Sequence, residues 1–303
     1  MSAKQYSGTT LSITLFLCSA IWGLYWIPLR GIESQGIHSS WSVVIFNACP
    51  LLVLIPITLI KRTHQNFNFF STFFSALMIG FAFSFYANSL VETSVVRATL
   101  LFYLTPIWST IIGIIWLNEK LTRVRIICII IALLGLFLLI SNGKNTKILL
   151  NIGDVFGFLS GVCWAVGGSA LKKWPQTPVL PLTTYVFILT TCVSGAFALS
   201  FYGGAIPNLK LIENVFPTAL IWSTIIMLPP FILVFKISTI LFPGRVGLLM
   251  MAEVIVAVVS GSLMIPEEKM YFLQWIGAFC ILLAALIEVL FGYRKVEKQL
   301  KTL

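Results

Sequence analysis

Apolar runs of about twenty residues, set apart by short polar stretches, repeat along almost the whole chain. A helix of roughly 20 apolar residues is long enough to cross the hydrocarbon core of a bilayer. The pattern predicts helices near 9–29, 40–60, 70–90, 98–117, 124–141, 152–171, 181–202, 215–235, 242–264 and 271–292. Between them stand residues that end apolar helices: Lys61-Arg62, Asn118-Glu119-Lys120, Asn142-Gly143-Lys144, Lys172-Lys173, Gly203-Gly204 and Pro266-Glu267-Glu268. No polar stretch is long enough to form a soluble domain or an ATPase module. The first run, Leu11 to Leu29, is long for a signal-peptide core and lacks a small-x-small site after it, so it predicts a retained helix. The expected fold class is all-α integral membrane, with ten transmembrane helices.

Composition agrees with that pattern. The chain is 58% hydrophobic and 10% charged, against about 25% charged in an ordinary soluble domain. So few charges cannot cover a soluble surface, and the expected surroundings are a lipid bilayer. The formal net charge is +10, but the basic residues lie in small clusters between apolar runs rather than in one patch. They report orientation, and no nucleic-acid partner is expected. With the N-terminus placed in the cytoplasm, thirteen Lys and Arg residues fall inside, including Lys4, Lys61, Arg62, Lys120, Arg123, Arg125, Lys236, Arg294 and Lys301. Six fall outside: Arg30, Arg97, Lys144, Lys147, Lys210 and Lys269. Both termini are therefore expected to be cytoplasmic. The six cysteines lie in apolar segments with no C-x-x-C pair and read as small buried hydrophobes. His38 and His64 are isolated in loops. No metal and no other cofactor is expected. The absence of an Asn-x-Ser/Thr acceptor favours a bacterial source and hence the inner membrane.

The chain repeats itself weakly. Trp22 plus 142 is Trp164, and Arg30 plus 142 is Lys172. Arg97 plus 148 is Arg245, Thr105 plus 148 is Glu253, and Glu119 plus 148 is Glu267. An arginine thus begins the fourth helix of each half, and an acidic residue closes it 22 positions on. Five helices is an odd number, so the second copy enters the membrane from the opposite side. This predicts two inverted five-helix repeats, residues 1–141 and 142–303, forming one membrane-embedded unit.

The run Arg97-Ala98-Thr99-Leu100-Leu101-Phe102-Tyr103-Leu104-Thr105-Pro106-Ile107-Trp108, with Leu117-Asn118-Glu119-Lys120-Leu121-Thr122 after it, resembles the fourth helix and its exit in the EamA-like family of the drug/metabolite transporter superfamily. Ile21-Trp22-Gly23 resembles that family's first-helix Trp-Gly. The resemblance covers essentially the whole chain. It departs where the family often has Glu-Pro-Val and this chain has Glu253-Val254-Ile255. It implies ten helices, inverted five-helix repeats, and export or import of small metabolites.

Glu253 is the sharpest single signal. It lies about 11 residues into the ninth helix, near the bilayer midplane, where a charge costs ~2.5–3.5 kcal/mol on insertion scales. It reads as a substrate or proton site; the plainer alternative is a structural hydrogen bond between helices. Arg97 and Arg245 sit at helix starts, where a cation is unfavourable, and read either as gating residues or as interfacial arginines. Glu92 is a candidate partner for Arg97. Trp22, Tyr25 and Trp26 share one helical side, and Tyr103, Trp108 and Trp164 lie at similar depths. Together these aromatics suit stacking or cation–π contact with a ligand, while core packing explains each one singly. The Phe stretch of the third helix reads as lipid-facing. Gly153, Gly157, Gly161, Ala165 and Ser169 form a small-residue stripe suited to close helix packing. Asp154 reads as a helix cap and Glu288 as half of an interfacial pair with Arg294. Pro50, Pro56, Pro106 and Pro229-Pro230 are candidate kinks.

The function expected is a secondary-active transporter that moves a small metabolite across the inner membrane by alternating access. An amino acid, a related amphiphile or an organic cation fits best, with proton coupling left open. No His-Glu-x-x-His, Walker loop or clustered His or Asp points to an enzyme. A membrane-embedded channel or other non-transport protein is the alternative. A monomer or a weak homodimer is expected.

Overall fold

The described parts of the apolar runs are largely helical in a computed structural model of the protein, which describes residues 8–60, 68–140, 150–201, 206–265, 271–287 and 291. No strand occurs among the described residues. The helices are α1 (Gly8–Trp22), α2 (Trp26–Glu33), α3 (Ser39–Ala48), α4 (Leu51–Ile60), α5 (Phe69–Glu92), α6 (Val95–Phe102), α7 (Thr105–Leu117), α8 (Arg123–Ile140), α9 (Ile152–Lys173), α10 (Val179–Phe201) and α11 (Leu209–Leu220). A π-helical segment, Ile221–Met227, leads into α12 (Leu228–Ser238), followed by α13 (Pro243–Met250), α14 (Ala252–Met264) and α15 (Phe272–Ile287).

Among the described residues, seven helical stretches are long and apolar enough to cross a membrane: Gly8–Glu33, Ser40–Ile60, Phe69–Glu92, Ile152–Lys173, Val179–Ser200, Leu209–Ser238 and Pro243–Met264. Thr105–Leu117 and Phe272–Ala284 are shorter apolar helices. The expected features at Lys4, Lys61, Arg62, His64, Lys144, Lys147, Glu267, Glu268, Lys269, Glu288, Arg294, Lys295, Lys298 and Lys301 lie outside the described residues.

Helix interruptions fall where backbone chemistry requires them, with two exceptions. Pro50 separates α3 from α4, and Pro106 lies at the start of α7 just past the break after Phe102. Pro229 and Pro230 remove two N–H donors, and their rings would clash with carbonyls one turn back. The π-helical segment immediately upstream widens the turn there. The exceptions are Gly23 and Met251. At Gly23 a turn separates α1 from α2 within the first predicted helix. A β-carbon there would lie 2.6 Å from the Val256 Cβ and 2.7 Å from the Glu253 carbonyl oxygen. The glycine thus lets α1 and α14 touch backbone to backbone. Met251 separates α13 from α14 with no proline present. There the Met250 carbonyl is held by side chains from elsewhere in the fold: Ser19 Oγ donates to it at 2.9 Å and Tyr103 Oη at 2.7 Å.

The small-residue stripe of α9 packs as the sequence suggests. Gly153 abuts Glu92 and Thr93, Gly157 abuts Ser89 and Leu101, and Gly161 abuts the Phe102 carbonyl. A β-carbon at Gly161 would stand 2.6 Å from that carbonyl oxygen, which is main chain and cannot swing aside. Gly161→Leu is expected to destabilise the protein by about 1–3 kcal/mol or more through overpacking. Thermal unfolding in detergent checks it, and an unchanged midpoint would remove the contact from the account. On the far side, α8 packs along α15, with Gly135 against the Gly277 carbonyl. Ile126, Ile130, Leu134 and Phe137 of α8, and Phe272, Trp275, Phe279 and Leu286 of α15, are exposed and suit a lipid-facing surface.

A buried ion pair closes the corner between α7 and α8. Arg125 Nη1 donates to Glu119 Oε1, and both side chains are at most 4% exposed. Asn118 turns the chain in the left-handed region at φ 53°. Gly113 leaves room for the carboxylate, since a β-carbon there would fall 2.2 Å from Glu119 Oε2. Gly244, at the start of α13, faces the same carboxylate. Arg125 was counted in the sequence only as an orientation signal; it is instead part of this buried pair.

Candidate functional site

The ring system at the centre is built from four helices. Trp22 ends α1, Phe83 lies in α5, Trp164 in α9 and Phe231 in α12. Trp22 meets Phe231 at a centroid distance of 4.4 Å, Phe83 at 5.5 Å and Trp164 at 5.9 Å. Phe83 meets Phe231 at 4.7 Å and stacks on Trp164 at 5.7 Å. Phe235 and Phe187 pack around the edge. The Phe stretch of the third predicted helix is therefore not wholly lipid-facing: Phe69, Phe70 and Phe73 are exposed, but Phe83 is buried. A signal for the missed ring was present, because Phe83 plus 148 is Phe231. The Trp22 indole N–H is buried and has no hydrogen-bond partner among the described residues.

Beside the rings lies a polar cluster centred on Glu253, which is 1% exposed. Because the chain breaks at Met251, Glu253 falls in the first turn of α14 rather than in mid-helix. Helix N-termini carry unsatisfied N–H groups and favour negative charge. Tyr103 Oη lies 2.5 Å from Glu253 Oε2. The Tyr86 hydroxyl, from α5, also hydrogen-bonds the carboxyl, and Tyr25 lies within electrostatic reach of it. The Asn47 side chain donates to the Tyr25 hydroxyl at 3.1 Å and to the Val43 carbonyl at 2.8 Å. No Lys, Arg or His touches the Glu253 carboxyl among the described residues.

The structure thus brings together Trp22 and Trp164, and Tyr25, Tyr103 and Glu253. Trp26 is close by but is tied down, its indole N–H donating to Ser260 Oγ at 3.0 Å. Trp108 stands apart on α7, against Phe158 of α9 at 5.7 Å. Asn47, Phe83, Tyr86 and Phe231 belong to the site and were not singled out in the sequence. Each is an ordinary apolar-run residue there, with only spacing to mark it.

The two arginines each lie near the start of a short helix, Arg97 in α6 and Arg245 in α13. Arg97 of α6 forms a salt bridge with Asp154 of α9. Asp154 also closes a capping box with Asn151, so it is both the cap expected and the partner of Arg97. The expected partner Glu92 lies at the same corner, its carbonyl accepting from Asn151 Nδ2 at 3.4 Å. Arg245 of α13 is buried, and its Nη2 donates to Ser12 Oγ of α1 at 2.9 Å. Ser12 plus 142 is Asp154, so the two arginine contacts join corresponding positions. Arg30 Nη2 donates to the Thr93 carbonyl at 2.8 Å and Lys172 Nζ to the Ile240 carbonyl at 2.6 Å. These contacts correspond too, within one residue, under the offsets of 142 and 148. So do the contacts of Ser19 with the Met250 carbonyl and of Gly161 with the Phe102 carbonyl.

Residues 10–141, which contain Trp22, Phe83, Arg97 and Tyr103, match the EamA-like transporter family. With its run of apolar helices and this match, the chain is a multi-pass membrane protein. It is similar to an uncharacterized transporter of Bacillus subtilis (strain 168), YyaM, at 28% identity over 165 residues, covering 52% of this chain and 54% of that protein. The match thus spans about half the length of that relative. A solved crystal structure shares the fold, with a TM-score of 0.68 and 14% sequence identity over 96% of this chain and 99% of the other.

Proposed function

We propose that the protein is a secondary-active transporter that moves a small amphiphilic metabolite across the bacterial inner membrane by alternating access. In this reading residues 1–141 and 142–303 are inverted five-helix repeats, ten membrane-crossing helices in all, with both termini in the cytoplasm. The single observation that carries it is the recurrence of helix-crossing contacts under the offsets of 142 and 148. Trp22 touches its counterpart Trp164, and Phe83 touches its counterpart Phe231. Contacts of this kind fit a pseudo-two-fold axis in the membrane plane, with a ligand site where the copies meet.

The centre offers what an amino acid or related amphiphile needs. Glu253 binds an ammonium or a proton, the rings cover an apolar part, and the unpartnered Trp22 N–H donates to a ligand oxygen. A buried donor without a partner costs about 1–3 kcal/mol, which a bound acceptor recovers. With the rings at 4.4–5.9 Å from one another and Glu253 at 1% exposure, the centre is closed. A ligand enters by parting the rings. No metal or cofactor takes part in this reading.

Arg97–Asp154 and Arg245–Ser12 then close the two faces of the site, the first outside and the second inside. Arg97→Ala is expected to raise labelling of an engineered central cysteine by a membrane-impermeant reagent from the outer side. Arg245→Ala is expected to raise it from the inner side. Shifts in the same direction for both would sink the gate assignment. The transporter reading itself is tested by a thermal-shift screen of metabolites against the purified protein, since a ligand stabilises by RT ln(1 + [L]/Kd). Any hit is then assayed for uptake into proteoliposomes. A stabilising ligand that is never carried across would favour a receptor or enzyme instead.

A further inference from the structure

The hydrogen bonds at Tyr103 require more protons than its phenol carries. Tyr103 Oη is 2.7 Å from the Met250 carbonyl oxygen and 2.5 Å from Glu253 Oε2. A phenol has one O–H, and a carbonyl only accepts. If Tyr103 donates to Met250, the contact with Glu253 holds only when the acid brings its own proton. If Glu253 is a carboxylate, Tyr103 must donate to it, and two oxygens 2.7 Å apart at Met250 face each other with no proton between them.

We propose that Glu253 is protonated in this conformation, and that Tyr103 transmits the loss of that proton to the break between α13 and α14. The inference rests on the transporter reading of the same site and deepens it: the coupled ion is a proton, and Tyr103 is the positioning residue that relays it. In the protonated state Glu253 donates to Tyr103 and Tyr103 donates to the Met250 carbonyl. When the site opens to water, the carboxyl O–H bond breaks and the proton leaves to that side. The single Tyr103 O–H then turns from Met250 to the carboxylate. Met250 keeps Ser19 as a donor and loses Tyr103. The ninth helix is thereby released from α6 while still held by α1.

The other groups facing the carboxyl are Tyr86 from α5 and Tyr25 from the turn between α1 and α2. Both are neutral phenols, so neither replaces the lost proton's charge. The corresponding break in the fourth predicted helix lacks this device. There Thr105, the counterpart of Glu253, donates to the Phe102 carbonyl of its own chain segment. One break therefore senses protons and the other does not.

Infrared spectroscopy and hydrogen exchange on the full-length protein in lipid test the inference. A carboxylic-acid C=O band is expected near neutral pH, and its loss in Glu253→Gln assigns it. As pH rises and the band disappears, amides of residues 248–256 are expected to lose protection, after correction for intrinsic exchange. Tyr103→Phe is expected to keep the acid band and lose the pH dependence of protection. Ser19→Ala, which removes the donor that remains, is expected to enlarge that dependence. Absence of the acid band, or wild-type pH dependence in Tyr103→Phe, would overturn the proposal. Should Glu253→Gln still abolish uptake with no acid band present, the relay fails and the transporter reading stands. Should the band and the pH-dependent protection hold in a protein that carries nothing, the relay stands and the transporter reading fails.

Discussion

Glu253→Gln is expected to abolish pH-dependent uptake while leaving the protein folded. Glutamine has nearly the shape of the protonated acid and its amide still donates to Tyr103, so the contacts around Met250 persist. What it lacks is a releasable proton and a charge for an ammonium group. A hydrogen bond to a charged partner is worth about 1.5–3 kcal/mol, which sets a fall of roughly tenfold to a hundredfold in apparent affinity for a cationic substrate. Uptake into proteoliposomes between about pH 5 and pH 8 measures it, with a melting curve as the control for folding. Normal transport across that range would reduce Glu253 to a structural hydrogen-bond donor.

The second large effect is expected away from the site. Arg125→Met leaves Glu119 charged and buried without its main partner. Removing one member of a buried pair typically costs about 3–5 kcal/mol, a large share of the roughly 5–15 kcal/mol that holds an ordinary folded domain together. Gly113 and Gly244 hem in the carboxylate, so it has little room to reach water. The double variant Glu119→Gln/Arg125→Met is expected to recover most of the loss, because no uncompensated charge remains. Unfolding midpoints of the two singles and the double form the cycle. Single variants that melt with the wild type would show that water already reaches the pair.

The helices were legible because lipid demands one thing of every segment, a run of apolar residues long enough to satisfy its own backbone. The predicted 152–171 and 70–90 became Ile152–Lys173 and Phe69–Glu92, an extension of at most two residues at either end. Two helix breaks met the sequence less simply. The break at Gly23 follows from how close α14 approaches, and the break at Met251 from the donors Ser19 and Tyr103, and neither cause is local in sequence. The site divides in the same way. Glu253 stood out because a charge in an apolar run is costly. Phe83, Tyr86 and Asn47 did not, because a buried ring or amide resembles a lipid-facing one until its neighbours are known. Asp154 was legible as a cap from its place at the opening of an apolar run, while its salt bridge with Arg97, 57 positions away, depends on the crossing of two helices.

The unprolined break in the ninth helix also bears on how the chain is made. A proline kink is written into a segment as it leaves the ribosome; this one is not. Residues 243–264 carry no proline between Pro243 and Ile265, so nothing local bends them while they cross into the membrane. The donors that capture the Met250 carbonyl come from residues 19 and 103, both synthesised long before. Bending therefore waits for assembly, and Glu253 reaches the head of a helix only once its neighbours have gathered.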